Sequence, residues 1–180
     1  DSLVGSFSYH IVNPVESVAS STVKSVINIK TDSGGSGTGF IIRSDGLAVT
    51  NQHVIEDVAY ITVSFHDGTS ANAYVVAHSK NNDLALIKID KNSLDYLNFG
   101  KSESLSLGQK ILTFGYPLHQ TSNSATITQG IISGQNRTTR YSNGVRIENL
   151  LQTDATMHPG NSGGPWLNLD GDVIGISSSC

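Results

Sequence analysis

The sequence predicts an all-β protein built from antiparallel strands. Short segments in which apolar and polar residues alternate recur along the chain, beginning with Val23–Lys30. Two-residue turn signals separate such segments at Asp45-Gly46, Asp67-Gly68, Asn143-Gly144 and Asp170-Gly171. Each pair tolerates positive φ at both positions, as a tight hairpin turn requires. Helical periodicity is almost absent, so strands are expected to form nearly all of the structure.

One short helix is expected before the first strand. Asn13 can cap it, Pro14 suits its first position, and Glu16 follows three residues after the cap. The polar run Ser20–Thr22 is expected to end it. Residues 1–22 are therefore predicted to form a leader that contains one short helix.

Further strands are expected beside and between the turns. A single helical turn is predicted over His53–Val58, and the polar segment Gln135–Asn149 is predicted to be a long exposed hairpin or loop. Strands without a turn signal of their own are predicted at Leu84–Ile89, Gln109–Phe114, Thr126–Ser133 and Leu150–Thr153. The polar segment Asn98–Leu107 is the predicted boundary between two lobes, residues 23–100 and 101–180.

Composition excludes several classes of partner. Only 14% of the residues are charged, the net charge is −4, and no Lys/Arg cluster occurs, which argues against binding to nucleic acid or to an anionic membrane surface. Cys180 is the only cysteine, so neither an intrachain disulfide nor a cysteine metal site is expected. The histidines lack metal-site spacing, and no run of about 18 apolar residues is present. No metal or cofactor is therefore predicted.

A glycine-rich stretch near the end of the second lobe carries the first sign of chemistry. Within Thr153–Pro165, Ser162 lies between glycines ahead of a strand. Such a backbone can turn sharply and direct the N–H groups of Gly160 and Ser162 at one point, where they would stabilise an oxyanion. A simple Gly/Ser turn is the alternative interpretation.

A serine hydroxyl needs a base, and the base needs an oriented partner. His53 ends the apolar strand Leu47–Asn51 and begins a helical turn, so the strand would fix its ring. Asp83 opens the apolar strand Leu84–Ile87, which would partly bury its carboxylate next to a histidine N–H. A cap at the start of the strand is the alternative interpretation for Asp83.

The order His, Asp, Ser is one of three chain orders known for this triad and occurs on double β-barrel folds. The blocks Thr50–Val54, Asn82–Lys88 and Pro159–Pro165 resemble the signature blocks of the HtrA/Deg family of trypsin-like serine proteases. The resemblance covers Val15–Ser178. It implies two six-stranded antiparallel β-barrels, the second of them truncated, because the family continues with a further strand beyond Cys180.

The resemblance also implies an activity and the roles of the site residues. The reaction would be hydrolysis of peptide bonds in unfolded or extended polypeptides, without metal or cofactor, in protein quality control, regulated proteolysis or a stress response. His53 would be the general base, Asp83 would orient it, and Ser162 would form the acyl-enzyme. The N–H groups of Gly160 and Ser162 would form the oxyanion hole.

Substrate-binding residues follow from the same resemblance. Met157 would line the primary specificity pocket and favour an aliphatic residue, with Thr156 at the pocket base where no acid is present. A strand would pair with the substrate backbone through Ile176, Ser177, Ser178 and Ser179. Asn161 replaces the aspartate that binds the freed N-terminus in digestive relatives, so loop ordering at Leu118–Ser124 and Gln135–Asn149 is the expected mode of regulation.

Several further expectations concern partners and location. The resemblance allows a homotrimer packed through Phe7 and Tyr9, for which a loosely ordered tail is the alternative, and a PDZ domain beyond Cys180. It implies an extracytoplasmic location. Two alternative functions remain open. One is a peptide-binding or chaperone-like module with a latent protease site, and the other is an esterase for small acyl substrates.

Overall fold

The structure is a computed structural model that describes residues 13–118, 124–140 and 146–178. One α-helix, α1, spans Pro14–Thr22, and short 3₁₀ turns occupy Val23–Ser25, Gln52–Ile55 and Ser102–Ser104. The strands of the described residues are β1 (Val26–Thr31), β2 (Ser36–Ile41), β3 (Leu47–Thr50), β4 (Ile61–Ser64), β5 (Ser70–Ser79), β6 (Leu84–Ile89), β7 (Lys110–Gly115), β8 (Thr126–Arg140), β9 (Arg146–Thr153), β10 (Pro165–Leu167) and β11 (Val173–Ile176). The all-β prediction is confirmed.

The first six strands form a closed barrel in the order β1-β2-β3-β6-β5-β4, with every pair antiparallel. Alternating residues of these strands point into the barrel, and branched side chains such as Ile27, Ile29 and Ile87 are completely buried there. The barrel therefore has its own apolar core, as the alternation in the sequence predicted.

The other five strands form an open antiparallel sheet in the order β11-β10-β7-β8-β9. The second barrel, predicted to be six-stranded and truncated, is therefore an open sheet of five strands among the described residues. Among the described residues β9 pairs with no strand other than β8, and β11 pairs with β10 and forms a single bridge from Val173 to Phe99. The two edge strands do not pair with each other, so the ring of hydrogen bonds does not close. A cavity of about 260 Å³ lies between these two edges and is lined by Leu150, Trp166 and Ile176, among others.

The ends of several elements differ from the prediction for physical reasons. Helix α1 continues through Ser20–Thr22, because the Ser20 and Thr22 hydroxyls donate back to the carbonyls of Glu16 (2.9 Å) and Val18 (2.6 Å). Strand β1 consequently starts at Val26 instead of Val23. Of the two alternatives for Gln135–Asn149, the hairpin is confirmed by the pairing of β8 with β9.

Three turns have a different geometry from the predicted one. Only the glycine takes positive φ, at Gly46 (97°), Gly68 (81°) and Gly171 (87°), and the preceding aspartate does not. Each glycine N–H donates to the carbonyl three residues earlier, so each turn is a type I turn followed by one left-handed residue. The Asn143-Gly144 turn lies outside the described residues.

A second apolar core joins the barrel to the open sheet. It packs Val26, Phe40 and Val49 of the barrel against Leu112 and Phe114 of β7. The ends of β3, β6 and β10 therefore meet where barrel and sheet pack together. In the part of the chain that the structure describes, no helix is long and apolar enough to cross a membrane.

Candidate active site

The three predicted catalytic residues lie at the ends of elements that this packing brings together. His53 is in the 3₁₀ turn after β3, and Asp83 directly precedes β6. Because β3 and β6 are paired, with Thr50 opposite Ala85, the two side chains come from adjacent strands. Ser162 lies in the turn before β10, and it lines the same cleft as His53.

His53 and Asp83 form a close, doubly bonded pair. The ring Nδ1 lies 2.9 and 2.8 Å from the two carboxylate oxygens, and the His53 backbone N–H donates to Oδ1 at 3.0 Å. Asn51 and Ser178 complete the arrangement. The Asn51 amide donates to the Asp83 carbonyl at 2.9 Å, and the Ser178 hydroxyl donates to Oδ2 at 3.0 Å. The carboxylate thus favours the tautomer with the proton on Nδ1, in which Nε2 accepts protons.

The environment of Asp83 stabilises its charged form. The side chain is 9% exposed, and burial by itself would raise its pKa. Hydrogen bonds from the His53 ring, the His53 N–H and the Ser178 hydroxyl outweigh burial, so the pKa of Asp83 lies below its ordinary value of 3.8. Asp83 is therefore an anion at neutral pH and stabilises a positive charge on His53.

The turn around Ser162 depends on two glycines. Gly160 and Gly163 have φ of 99° and 85°, a region that other residues rarely adopt. A Cβ at Gly160 would collide with the carbonyl oxygen of Tyr116, and one at Gly163 with that of Thr38. The glycines therefore allow the close approach of this turn to its neighbours.

Four consecutive carbonyl groups of the turn accept hydrogen bonds. The four carbonyl acceptors, with their donors, are Pro159 (Leu118 N–H, 3.0 Å), Gly160 (Thr38 hydroxyl, 2.7 Å), Asn161 (Gly164 N–H, 2.9 Å) and Ser162 (Thr38 N–H, 2.8 Å). The N–H groups of Gly160 and Ser162 donate to no atom of the described residues. These are the two groups predicted to form the oxyanion hole, and both residues line the cleft.

The cleft itself has a volume of about 590 Å³. It is lined by Ser36, His53, Leu118, Met157, His158, Pro159, Gly160, Asn161, Ser162, Ser177 and Ser178. No group of acidic, histidine or cysteine side chains within the described ranges could hold a metal ion. The arrangement can perform nucleophilic acyl transfer, because an oriented base, a serine and two N–H donors share one cleft.

The predicted substrate-binding residues fall into three groups. Met157, Ser177 and Ser178 line the cleft, and Ser178 in addition bonds to Asp83. Thr156 is exposed and is not part of the lining, and Ile176 pairs with Pro165 and faces the cavity between the sheet edges. Ser179 lies outside the described residues.

Sequence reasoning missed Thr38 and Trp166. Thr38 makes hydrogen bonds to both sides of Ser162, and the Trp166 indole N–H donates to the Ser177 hydroxyl oxygen at 3.0 Å. Neither residue has a local signal of its role. Thr38 lies within Gly35–Phe40, a stretch that resembles a connecting motif of the HtrA/Deg family, but the resemblance assigned no role to Thr38.

Comparison with known proteins agrees with this geometry. A family profile for the trypsin-like peptidase domain matches residues 37–176. Two similar relatives are a probable periplasmic serine endoprotease, DegP-like, of Chlamydia muridarum (43% identical over 143 residues) and the serine protease Do-like HtrA of Bacillus subtilis (41% over 150 residues). These alignments cover 79% and 80% of this chain but only 28% and 33% of the relatives.

Solved structures show the same relationship. An HtrA-type protease, AlgW, with a tripeptide superimposes with a TM-score of 0.81 at 32% identity, covering 89% of this chain and 52% of that one. Fold, site and profile together define a trypsin-like serine peptidase domain. Its relatives show that the chain belongs to the HtrA group of that family.

Proposed function

We propose that this chain is the catalytic domain of a serine endopeptidase that cleaves unfolded or extended polypeptides. The observation that carries the proposal is the His53 ring, held through Nδ1 by Asp83 in the same cleft as Ser162. The relatives named as serine proteases and the AlgW structure with a tripeptide support the same activity.

The mechanism follows from the arrangement of donors and acceptors. The Ser162 Oγ forms a bond to the carbonyl carbon, its proton passes to His53 Nε2, and the carbonyl oxygen becomes an oxyanion that accepts from the Gly160 and Ser162 N–H groups. The C–N bond then breaks as His53 returns the proton to the leaving amine. Water, deprotonated by His53, attacks the acyl-enzyme, and the proton passes back to Ser162 as the acid is released.

The cleft favours a small aliphatic side chain before the scissile bond. The Ser177 hydroxyl donates to the Met157 sulfur at 3.7 Å and accepts from the Trp166 indole, so two buried residues hold the thioether in place. Met157 is 38% exposed and narrows the cleft with an apolar group. Within the described ranges no acidic side chain lines the cleft, which disfavours Lys and Arg at that substrate position.

Met157→Ala is expected to shift this preference toward larger residues. Truncation widens the pocket, so hydrolysis of peptides with Leu or Phe before the scissile bond should gain about 10-fold relative to Val, the range expected for one or two methylenes. The measurement is the ratio of kcat/KM values across a matched peptide set. His158→Ala, a neighbouring change on the cleft wall, serves as the control, and an unchanged Leu/Val ratio in Met157→Ala would contradict the assignment.

The relatives suggest the biological setting. A relative of this chain is named as periplasmic, which supports a location outside the cytoplasm. A role in protein quality control or stress response is part of the same proposal. Phe7 and Tyr9, the residues that the resemblance suggested for trimer packing, lie outside the described residues. A homotrimer and a PDZ domain that follows the protease domain remain part of the proposal. They are tested by the mass of the full-length protein in solution and by its complete sequence.

Covalent labelling with a fluorophosphonate tests the activity directly. The probe phosphonylates only a serine with a functioning base, because Oγ displaces fluoride from phosphorus and His53 takes the proton. Wild-type protein is expected to be labelled, whereas Ser162→Ala and His53→Ala are not. The matched serine control is Ser106→Ala, an exposed serine away from the cleft, which should label like wild type. Absence of labelling in folded wild-type protein would overturn the proposed activity.

A further inference from the structure

Thr38 is a fully buried polar residue of strand β2 in the barrel. Its hydrogen bonds reach the lobe that contains the open sheet. Its hydroxyl donates to the Gly160 carbonyl at 2.7 Å and accepts from the Tyr116 N–H at 2.9 Å. Its own N–H donates to the Ser162 carbonyl at 2.8 Å. One residue of the first lobe therefore holds both sides of the turn that carries Ser162.

The position of Thr38 is itself held from within the barrel. The Thr50 hydroxyl, also fully buried, donates to the Thr38 carbonyl at 2.7 Å. Thr50 is the last residue of β3, two positions before the 3₁₀ turn that contains His53 begins. The turn around Ser162 and the segment that leads to His53 are thus joined through a continuous chain of buried hydrogen bonds.

The orientation of the Ser162 N–H depends on its neighbouring peptide groups. The Gly160 carbonyl belongs to the peptide that ends in the Asn161 N–H, and that N–H donates to the His158 carbonyl at 3.0 Å. A peptide held at both ends cannot rotate without breaking both bonds. The Thr38 hydroxyl supplies one of these two restraints on the peptide between the two oxyanion donors.

We propose that the Thr38 hydroxyl is a positioning group for the oxyanion hole, through which the first lobe fixes the Gly160 and Ser162 N–H groups. This deepens the proposed peptidase function and rests on it. Thr38 touches no substrate, since it does not line the cleft. Its loss should impair the step in which negative charge develops, while substrate binding changes little.

Thr38→Val tests the proposal with an isosteric change that keeps the backbone hydrogen bonds. It leaves the Gly160 carbonyl and the Tyr116 N–H without the hydroxyl partner, so the turn should relax. We expect kcat for an internally quenched peptide with Val before the scissile bond to fall about 10- to 100-fold, with KM within about 2-fold. Thr38→Ser, which keeps the hydroxyl, should recover most of the lost rate.

Two comparisons separate positioning from general destabilisation. Thr22→Val removes another buried hydroxyl hydrogen bond, from Thr22 to the Val18 carbonyl, away from the cleft lining, and should leave kcat unchanged. If Thr38→Val does not fold, Thr38→Ser and Thr38→Ala are compared instead. Both variants lack the threonine methyl group, and they differ from each other only in the hydroxyl. A kcat in the hydroxyl-free variant equal to that of Thr38→Ser would overturn the proposal.

Amide hydrogen exchange provides a readout that does not require catalysis. Exchange of the peptide covering 158–164 should become at least 10-fold faster in Thr38→Val and stay unchanged in Thr22→Val. Unchanged exchange in Thr38→Val would overturn the positioning role even if the rate fell. A wild-type protein that neither reacts with a fluorophosphonate nor cleaves peptide would instead overturn the peptidase function, while the exchange experiment would still decide the role of Thr38.

Discussion

Ser162→Ala is expected to lower kcat/KM for the hydrolysis of casein, used as an unfolded substrate, by about 10⁶-fold. Without the hydroxyl no acyl-enzyme can form, and the residual rate comes from water in the polarised cleft. The Ser162 side chain is nearly buried, so removal of one oxygen should leave the fold intact. The measurement is release of soluble peptides by wild-type and variant protein at equal concentration, together with their thermal unfolding temperatures.

The same variant separates the peptidase from the chaperone-like alternative. A peptidase should bind an extended peptide with similar affinity before and after the change and lose only its cleavage. If the wild-type protein suppressed aggregation of an unfolded protein without any cleavage, and Ser162→Ala behaved identically, the chaperone-like interpretation would replace ours.

Asp83→Asn is expected to lower kcat about 10⁴-fold. The asparagine amide can donate to His53 Nδ1, which reverses the ring tautomer and leaves a proton on Nε2, the nitrogen that must accept one. It also removes the negative charge that stabilises the protonated ring. The kcat of a quenched peptide, measured between pH 6 and 9, checks this expectation.

Two further variants provide comparisons for the loss of kcat in Asp83→Asn. Ser178→Ala removes one hydrogen bond to the Asp83 carboxylate and should cost no more than about 10-fold. Asp45→Asn makes the same chemical change at an exposed turn, where Asp45 is paired with Arg43, and should leave kcat unchanged. A loss of similar size in Asp45→Asn and Asp83→Asn would contradict a specific role for Asp83.

Local patterns in the sequence predicted the first lobe well. The strand Leu84–Ile89 has the predicted bounds, and the helical turn predicted at His53 starts within one residue of the expected position. Both depend on short-range alternation and on a change from strand to turn, which neighbouring residues determine. The ends of β8 were less predictable, since Gln135–Arg140 is polar and forms a strand through its pairing with β9.

The candidate site residues show the same contrast between local sequence patterns and tertiary contacts. The sequence predicted His53, Asp83 and Ser162 as catalytic candidates because each lies at the end of a strand or in a glycine-rich turn with a chemical signature. The structure brings His53 and Asp83 into direct contact and places Ser162 in the same cleft. It also shows that Ser178, expected to bind substrate, bonds to Asp83, a contact between residues 95 positions apart.

The sequence by itself determined the all-β class, the order of the three signature blocks and, through them, the family. The resemblance to the family also implied the closed first barrel, whereas only the tertiary structure decided that the other five described strands stay an open sheet. It alone showed that Thr38 bonds to Gly160 across 122 positions of the chain. The reason is physical. Alternation and turn chemistry are properties of neighbouring residues, whereas closure of a sheet and buried hydrogen bonds between lobes depend on how distant surfaces pack.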